Sequence, residues 1–206
     1  HHAQNQSALL VTGQVPRYSY SMRSMIVAGQ YRDYFNDQCN FVKNLPAHIY
    51  EKLSVRLHPS DLGQDQISRW LDIFPSIILD DGRSSIKGLI SQCRLYIATY
   101  NSTTFLQSLS MNVPTVIYWN PCHWELRDSA IPYFEDLKRV GIYHDTPESA
   151  ALHVATIWDD VETWWNSSEV EEVLLRFKKR YCNIDDNTLY RVEDALRSVI
   201  ADDKRL

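Results

Sequence analysis

His58-Pro59 places an imidazole on a backbone whose path proline fixes. Such a ring can donate to a phosphate, more strongly once protonated, or it can simply satisfy a turn. Arg56 stands two residues earlier and shares a side with His58 on an extended chain. Its charge calls for an anionic ligand, or for a carboxylate partner such as Asp80. Asn101-Ser102-Thr103-Thr104 opens a helical stretch. Its hydroxyls and free N–H groups make either an anion site at a helix N-terminus or a plain cap. Asp80-Asp81-Gly82 offers a general base, a ribose-hydroxyl acceptor or a base-edge contact, or else a turn capped by Asp81. Tyr118, Trp119, His123 and Trp124, with Asn120 among them and Glu125 and Arg127 following, can stack on rings and bind hydroxyls, or form a packed aromatic corner. Gly13, followed by Arg17, Tyr18 and Ser19, permits a close backbone approach to a ligand.

These clusters share one placement. Apolar runs at 53–57, 76–79, 94–98 and 115–118 each end in one of them, and 8–11 ends at Gly13. Buried parallel strands read as such runs, and open parallel sheets bind ligands beyond the carboxyl ends of their strands. Between the runs, helical patterns are expected at 25–35, at 64–74 with Ile67, Trp70, Leu71 and Phe74 on one face, and at 84–92 capped by Ser84. Further helices are expected at 103–111, stopped by Asn112, and at 127–139, stopped by Gly141. Residues 14–24 read as a polar loop, and 36–51 as one or two short helices broken at Pro46. A short strand at 142–144 precedes a helix opened by Thr146-Pro147-Glu148. Six strands alternating with helices specify an α/β, doubly wound, Rossmann-like parallel sheet. The expected division is a nucleotide-binding domain at 3–160 and a helical extension at 161–206 packed on it, with a break near Asn183–Asn187.

Composition narrows the function classes. A net charge of −5 argues against a nucleic-acid surface, which would be basic. Cys39, Cys93, Cys122 and Cys182 lie far apart and form no CxxC or Cys/His metal spacing, which fits thiols in a reducing compartment. No run approaches the ~18 apolar residues of a membrane span. His1-His2 reads as a tag remnant, so the chain is expected to be a piece of a larger protein. There is no GxxxxGK[ST] loop, HExxH, GxSxG elbow or dinucleotide fingerprint, and no Asp-x-Asp triplet to ligate a metal-bridged diphosphate. Lys178-Lys179-Arg180 reads as a solvated helix face.

With these residues in view, the chain resembles the C-terminal, donor-binding half of GT-B glycosyltransferases. More narrowly, it is similar to bacterial surface-carbohydrate transferases of the O-antigen, lipopolysaccharide and capsule type. Segments 16–20, 56–59, 99–104, 112–115 with 118–121, 123–127, 141–144 and 146–151 carry the likeness, which runs from the Pro16-Arg17 loop to Trp164-Trp165. The HP pair His58-Pro59 and the Ser102-Thr103 pair match motifs that hold the nucleotide phosphate in CMP-sugar (sialic acid and Kdo) transferases. CDP-glycerol-type glycerophosphotransferases also carry an R-x-H-P element, here Arg56 to Pro59.

The resemblance implies a metal-independent glycosyltransferase with a nucleotide-sugar donor, CMP-linked by preference, and no cofactor. It implies His58 and Glu125 as catalytic residues, and Gly13, Arg17, Arg56, His58, Pro59, Asp80, Asn101, Ser102, Thr103, Thr104, Trp119 and Asn120 around the donor. The acceptor, a glycan or lipid-linked glycan, would bind a missing N-terminal domain. The location implied is cytoplasmic, at most peripheral to the inner face of the membrane. Two departures qualify the likeness. Asp80-Asp81-Gly82 follows the HP pair instead of preceding it, so no base role is carried over to it. Glu125 is followed eight residues on by Tyr133, so the E-x7-E pattern of retaining enzymes is missing. A sugar-nucleotide epimerase or a non-catalytic interaction module are the competing readings.

Overall fold

The computed structural model describes residues 7–18, 26–182 and 187–203. The first half runs β1 (Ala8–Val11), α1 (Tyr31–Lys43), α2 (Ala47–Tyr50), β2 (Leu53–Arg56), α3 (Gln66–Ile73), β3 (Ile78–Asp80) and α4 (Ile86–Gln92). The second half runs β4 (Leu95–Ala98), α5 (Thr103–Ser110), β5 (Thr115–Tyr118), α6 (Ile131–Arg139), β6 (Tyr143–His144), α7 (Pro147–Ile157), α8 (Val161–Trp165), α9 (Ser168–Tyr181) and α10 (Thr188–Asp203). The strands form one sheet in the order β3-β2-β1-β4-β5-β6, with every pairing parallel. This is the expected doubly wound α/β architecture. The order in which strands are added reverses between β1 and β4, the switch point at which such sheets bind ligands.

Burial explains why the strands read as apolar runs. Every residue of β1, β4 and β5 is buried, because helices cover both faces. On one face Phe35 of α1 meets Trp70 of α3 edge to face, and Phe41 stacks on Tyr118 with ring centroids 5.0 Å apart. On the other, Phe105 of α5, Phe134 of α6 and Phe177 of α9 close around Trp119 and Tyr143. Trp119 was expected to border a ligand; instead it is 2% exposed and packed in this aromatic cluster. The reason is alternation: Tyr118 faces α1, so the next residue faces α5 and α6.

Several element boundaries move from their expected places. The helix expected at 25–35 begins at Tyr31 and continues to Lys43, after a 3-10 turn at Ala28–Gln30; Met25 lies outside the described residues. Ser85, not Ser84, caps α4, accepting from the Gly88 N–H. The Ser84 carbonyl is instead taken by Arg56. α6 starts at Ile131, because the Arg127 carbonyl accepts from Ala130 and Ile131 and holds 127–130 as a turn. On α3 only Trp70 of the expected apolar face is buried, since this helix lies over the edge of the sheet and leaves Ile67 and Leu71 exposed. Thr146 caps α7 with Pro147 in its first turn, as the sequence indicates. Asn112 and Gly141, at φ +56° and +80°, stop α5 and α6 in left-handed backbone. Val170, Val173, Leu174 and Phe177 bury one stripe of α9, whereas the side chains at 189–198 of α10 are exposed. The expected break at Asn183–Asn187 falls mostly outside the described residues. No helix among the described residues is long and apolar enough to cross a membrane.

The outer strand carries a histidine pair. His144 donates from Nε2 to the Gly141 carbonyl and receives the Ser149 hydroxyl at Nδ1. His153 of α7 packs beside it, ring centroids 5.2 Å apart. Burial first, then the field of His144, holds the His153 pKa down at about 4, and burial lowers that of His144. Asp145 and Lys138 are the charged groups that face the pair. An unfolded histidine titrates at about 6.5. Between about 6.5 and about 4 the unfolded chain therefore binds a proton that folded His153 refuses. Stability from urea unfolding should be full above this window and fall as pH drops through it. His153→Gln should flatten that dependence, and a wild-type curve flat across the window would contradict the assignment.

Candidate functional site

The site is built from the carboxyl ends of neighbouring strands. β2 and β4 flank β1, so the loops that start at Leu57, Thr12 and Thr99 lie side by side. With strands about 4.8 Å apart, the loops after β2 and β4 emerge about 10 Å from each other, the scale of one nucleotide. Asp80 ends β3 one strand further out, and Trp119-Asn120 follow β5 on the opposite flank.

A relay of hydrogen bonds fixes the switch point. The Thr99 hydroxyl donates to the Val11 carbonyl (3.0 Å), so the Tyr34 hydroxyl must donate to Thr99 Oγ1 (2.6 Å). Tyr34 Oη in turn accepts the Gly13 N–H at 2.7 Å. Burial drives the Tyr34 pKa far above its usual value, which keeps the phenol a neutral donor. Trp124 seals this group edge to face, 5.3 Å from Tyr34. The Tyr100 ring lies directly against Gly13, where a Cβ would come within 3.1 Å of it.

The loop after β2 is zipped to the loop after β1. The Arg17 N–H donates to the Leu62 carbonyl, and Gln64 Nε2 donates to the Val15 carbonyl. Gln14 Nε2 donates to Asp61, whose carboxylate also receives the Asp65 and Gln66 N–H groups at the start of α3. Within this frame the half-buried His58 accepts the Ser60 N–H at Nδ1 (3.1 Å), and its carbonyl takes Gln66 Nε2 (2.7 Å). With Nδ1 accepting, the neutral ring carries its hydrogen on Nε2. Protonated, Nδ1 can donate instead to the Ser60 carbonyl, also 3.1 Å away. Either state leaves Nε2–H as a donor with no hydrogen-bond partner among the described residues. Pro59 and Arg17 are exposed on these two loops.

Across β1, Ser102 occupies the N-cap position of α5 in extended backbone but makes no capping bond. Its hydroxyl pairs with Thr104 Oγ1 at 2.8 Å. Amide N–H groups of the first turn of α5 thus receive no side-chain cap and keep their affinity for an anion. Asn101 and Thr103 are exposed at this end.

Three expected ligand residues have other duties. Arg56 donates to Asp80 Oδ1 (2.6 Å) and to the carbonyls of Gly82 (2.6 Å) and Ser84 (2.7 Å). Asp80 Oδ1 also takes the Gly82 N–H. Of the two roles open to Arg56, the carboxylate partner is the one it fills, and Asp80 Oδ1 is engaged with it. Gly82 adopts φ +82°, and a Cβ there would stand 2.5 Å from the Leu57 carbonyl oxygen, so the turn presses on the HP loop. Asp81 receives the Arg83 N–H, which makes it a turn residue. Trp119 is lost to the core. Asn120 folds the β5 loop by accepting the Cys122 N–H (2.9 Å), and Glu125 is exposed on that loop. Among the described residues no group of three or more His, Cys, Asp or Glu side chains is arranged to hold a metal ion. All four cysteines are free thiols, and burial raises the pKa of Cys39 to about 11 and of Cys93 to about 12.

Asp61, Thr99 and Tyr100 lie in the polar clusters that end the strand runs, whereas Tyr34 and Gln14 shape the site without having been singled out for it. Tyr34 could not have been found, since nothing local links it to Gly13.

The sequence profile of LIC12162 family transferases matches residues 1–196, and the chain belongs to that family. No curated protein matches it. A solved structure of the wall teichoic acid polymerase TagF, soaked with CDPG, is similar at a TM-score of 0.49 and 15% sequence identity. The match covers 97% of this chain and 44% of that one, so the chain spans less than half of the polymerase's length.

The Arg56 cluster makes a direct prediction. Lysine has the charge but not the forked geometry needed to reach three acceptors. Arg56→Lys should therefore lower stability by about 2–3 kcal/mol in urea unfolding, and Arg56→Met by about 3–5. If either variant unfolds like the wild type, the cluster does not hold the β2–β3 corner.

Proposed function

For this member of the LIC12162 transferases, we propose the role of a donor domain in a GT-B-type glycosyltransferase of bacterial surface polysaccharide synthesis. One observation carries the reading: an Nε2–H donor on His58 that the fold leaves unpaired and the uncapped start of α5 follow the two strands that flank β1 at the switch point. Both suit a phosphate, and neither is needed to hold the fold. The proposed contacts are His58, Pro59 and Arg17 on one side and Asn101, Ser102, Thr103 and Thr104 on the other, with the Gly13 backbone as the floor. Arg56 and Asp80 support the His58 loop from behind. Asn120 and Glu125 would border the transferred group.

In the transfer, the bond from the donor's anomeric carbon to the phosphate oxygen breaks and leaves its electron pair on the phosphate. His58 and the α5 amides offset that charge, as oxyanion donors do, without recourse to a metal. The acceptor hydroxyl oxygen bonds to the carbon and gives its proton to a carboxylate. Glu125 is the proposed residue on this chain, and a base on a further domain is the alternative. The HP and Ser-Thr pairs favour a cytidine nucleotide, CMP-linked; a CDP-glycerol donor would use the same phosphate contacts and release CMP.

Titration calorimetry with CMP, CDP and UDP tests this. The cytidine nucleotides should bind more tightly than UDP, and His58→Ala should weaken CMP binding about tenfold, the worth of one charged hydrogen bond. Unchanged affinity in that variant, or no binding of any of the three, would reject the reading.

A further inference from the structure

The outer edge of the sheet, beyond β5, holds a cleft of about 470 Å³ between the C-terminus of α6, the side of α7 and the junction of α8 with α9. It is separate from the switch point, within the usual size range of small-ligand sites (about 300–1,000 Å³), and none of the chemistry above uses it. Its aromatic wall is Trp164, whose Nε1 donates to the Val140 carbonyl (3.0 Å), fixing the indole. His153 stands edge to face against that indole, 5.0 Å between centroids. The imidazole lies flat on Gly141, where a Cβ would come within 2.4 Å of the ring.

That contact decides the tautomer. His153 Nε2 is buried with no hydrogen-bond partner, while Nδ1 is not enclosed. A buried, unpartnered N–H is costlier than a bare acceptor. The neutral ring therefore carries its hydrogen on Nδ1, toward the open side, and lines the cleft as a fixed donor. Arg139 adds further donors on the rim; its side chain is 57% exposed and makes only a 3.7 Å contact with Asp136. Glu169, exposed in the first turn of α9, adds an acceptor of opposite charge. The remaining cation, Lys138, is engaged by Asp145. Leu152 is 70% exposed at the mouth and adds an apolar lip.

We infer that this cleft binds a neutral pyranose unit of an oligosaccharide. A pyranose has an apolar C–H face for an indole and a rim of hydroxyls that each donate and accept. The cleft offers an indole, an apolar lip, donors from His153 and Arg139 and an acceptor from Glu169. The Glu169 carboxylate on the same cleft disfavours a phosphate or carboxylate ligand, and the lack of an enclosed apolar volume disfavours a lipid tail. The site is a holding point for glycan, independent of whether the switch point binds nucleotide.

The test is a ¹H–¹⁵N NMR titration of the chain with maltotriose, cellotriose, chitotriose and, as the charged comparison, glucuronate. At least one neutral trisaccharide should shift the Trp164 indole N–H and the His153 ring, with a Kd near about 1 mM. Arg139→Ala and Leu152→Asp, both surface changes, should each weaken it about tenfold while leaving CMP affinity as in the wild type. Unfolding curves that match the wild type confirm that the variants are folded. The proposal is overturned if no trisaccharide moves these resonances at about 10 mM, if glucuronate binds more tightly than all of them, or if both variants bind like the wild type. Loss of CMP binding alone would bear on the switch point and not on this cleft.

Discussion

The molecule depends on how its sheet is held together where the strand order reverses. At the boundary between β1 and β4 the strands part in connectivity, and the groups beyond their last ladder bonds must find partners elsewhere. Tyr34 supplies them, taking the Gly13 N–H and donating to Thr99, whose own hydroxyl returns to the Val11 carbonyl. Each donor in this relay has one direction available, so the network admits a single arrangement. A fully satisfied buried network of this kind rigidifies what surrounds it. Here it surrounds the floor of the proposed donor site.

The flanks of that floor divide support from function. Arg56 is buried and makes three hydrogen bonds, all of them to the chain. It anchors the turn at Gly82, which presses against the HP loop and sets the position of His58. His58 uses one ring nitrogen on its own loop, and the other has no partner among the described residues. Ser102 bonds Thr104 and leaves the first turn of α5 without a side-chain cap. Polar groups fully engaged in the fold hold the frame, and those left over are the groups on which the proposed phosphate site rests.

Strand positions were legible because two-sided burial forces continuous apolar runs, and their polar ends were legible for the same reason. Stops at Asn112 and Gly141 and the start at Thr146-Pro147 were readable because each rests on local backbone chemistry. Trp119 was misread because an aromatic residue at a strand end looks alike whether it faces a core or a ligand. Its parity settles the matter: Thr115 contacts Ser108 of α5, and Ile117 and Trp119 follow at steps of two. The start of α1 was placed too early because Ile26 continues the apolar spacing across a turn that is not α-helical. Tyr34 and the duty of the Ser84 carbonyl could not be read, since both depend on partners more than twenty residues away.

The central claim is that a nucleotide phosphate sits between His58 and the start of α5. Backbone amide shift mapping with CMP tests it most directly. The account predicts that the largest changes fall on Gly13, His58, Ser60 and 102–104, with residues at the amino ends of the strands unmoved. Changes centred elsewhere, on the β6 edge or the face of α9 for example, would contradict it.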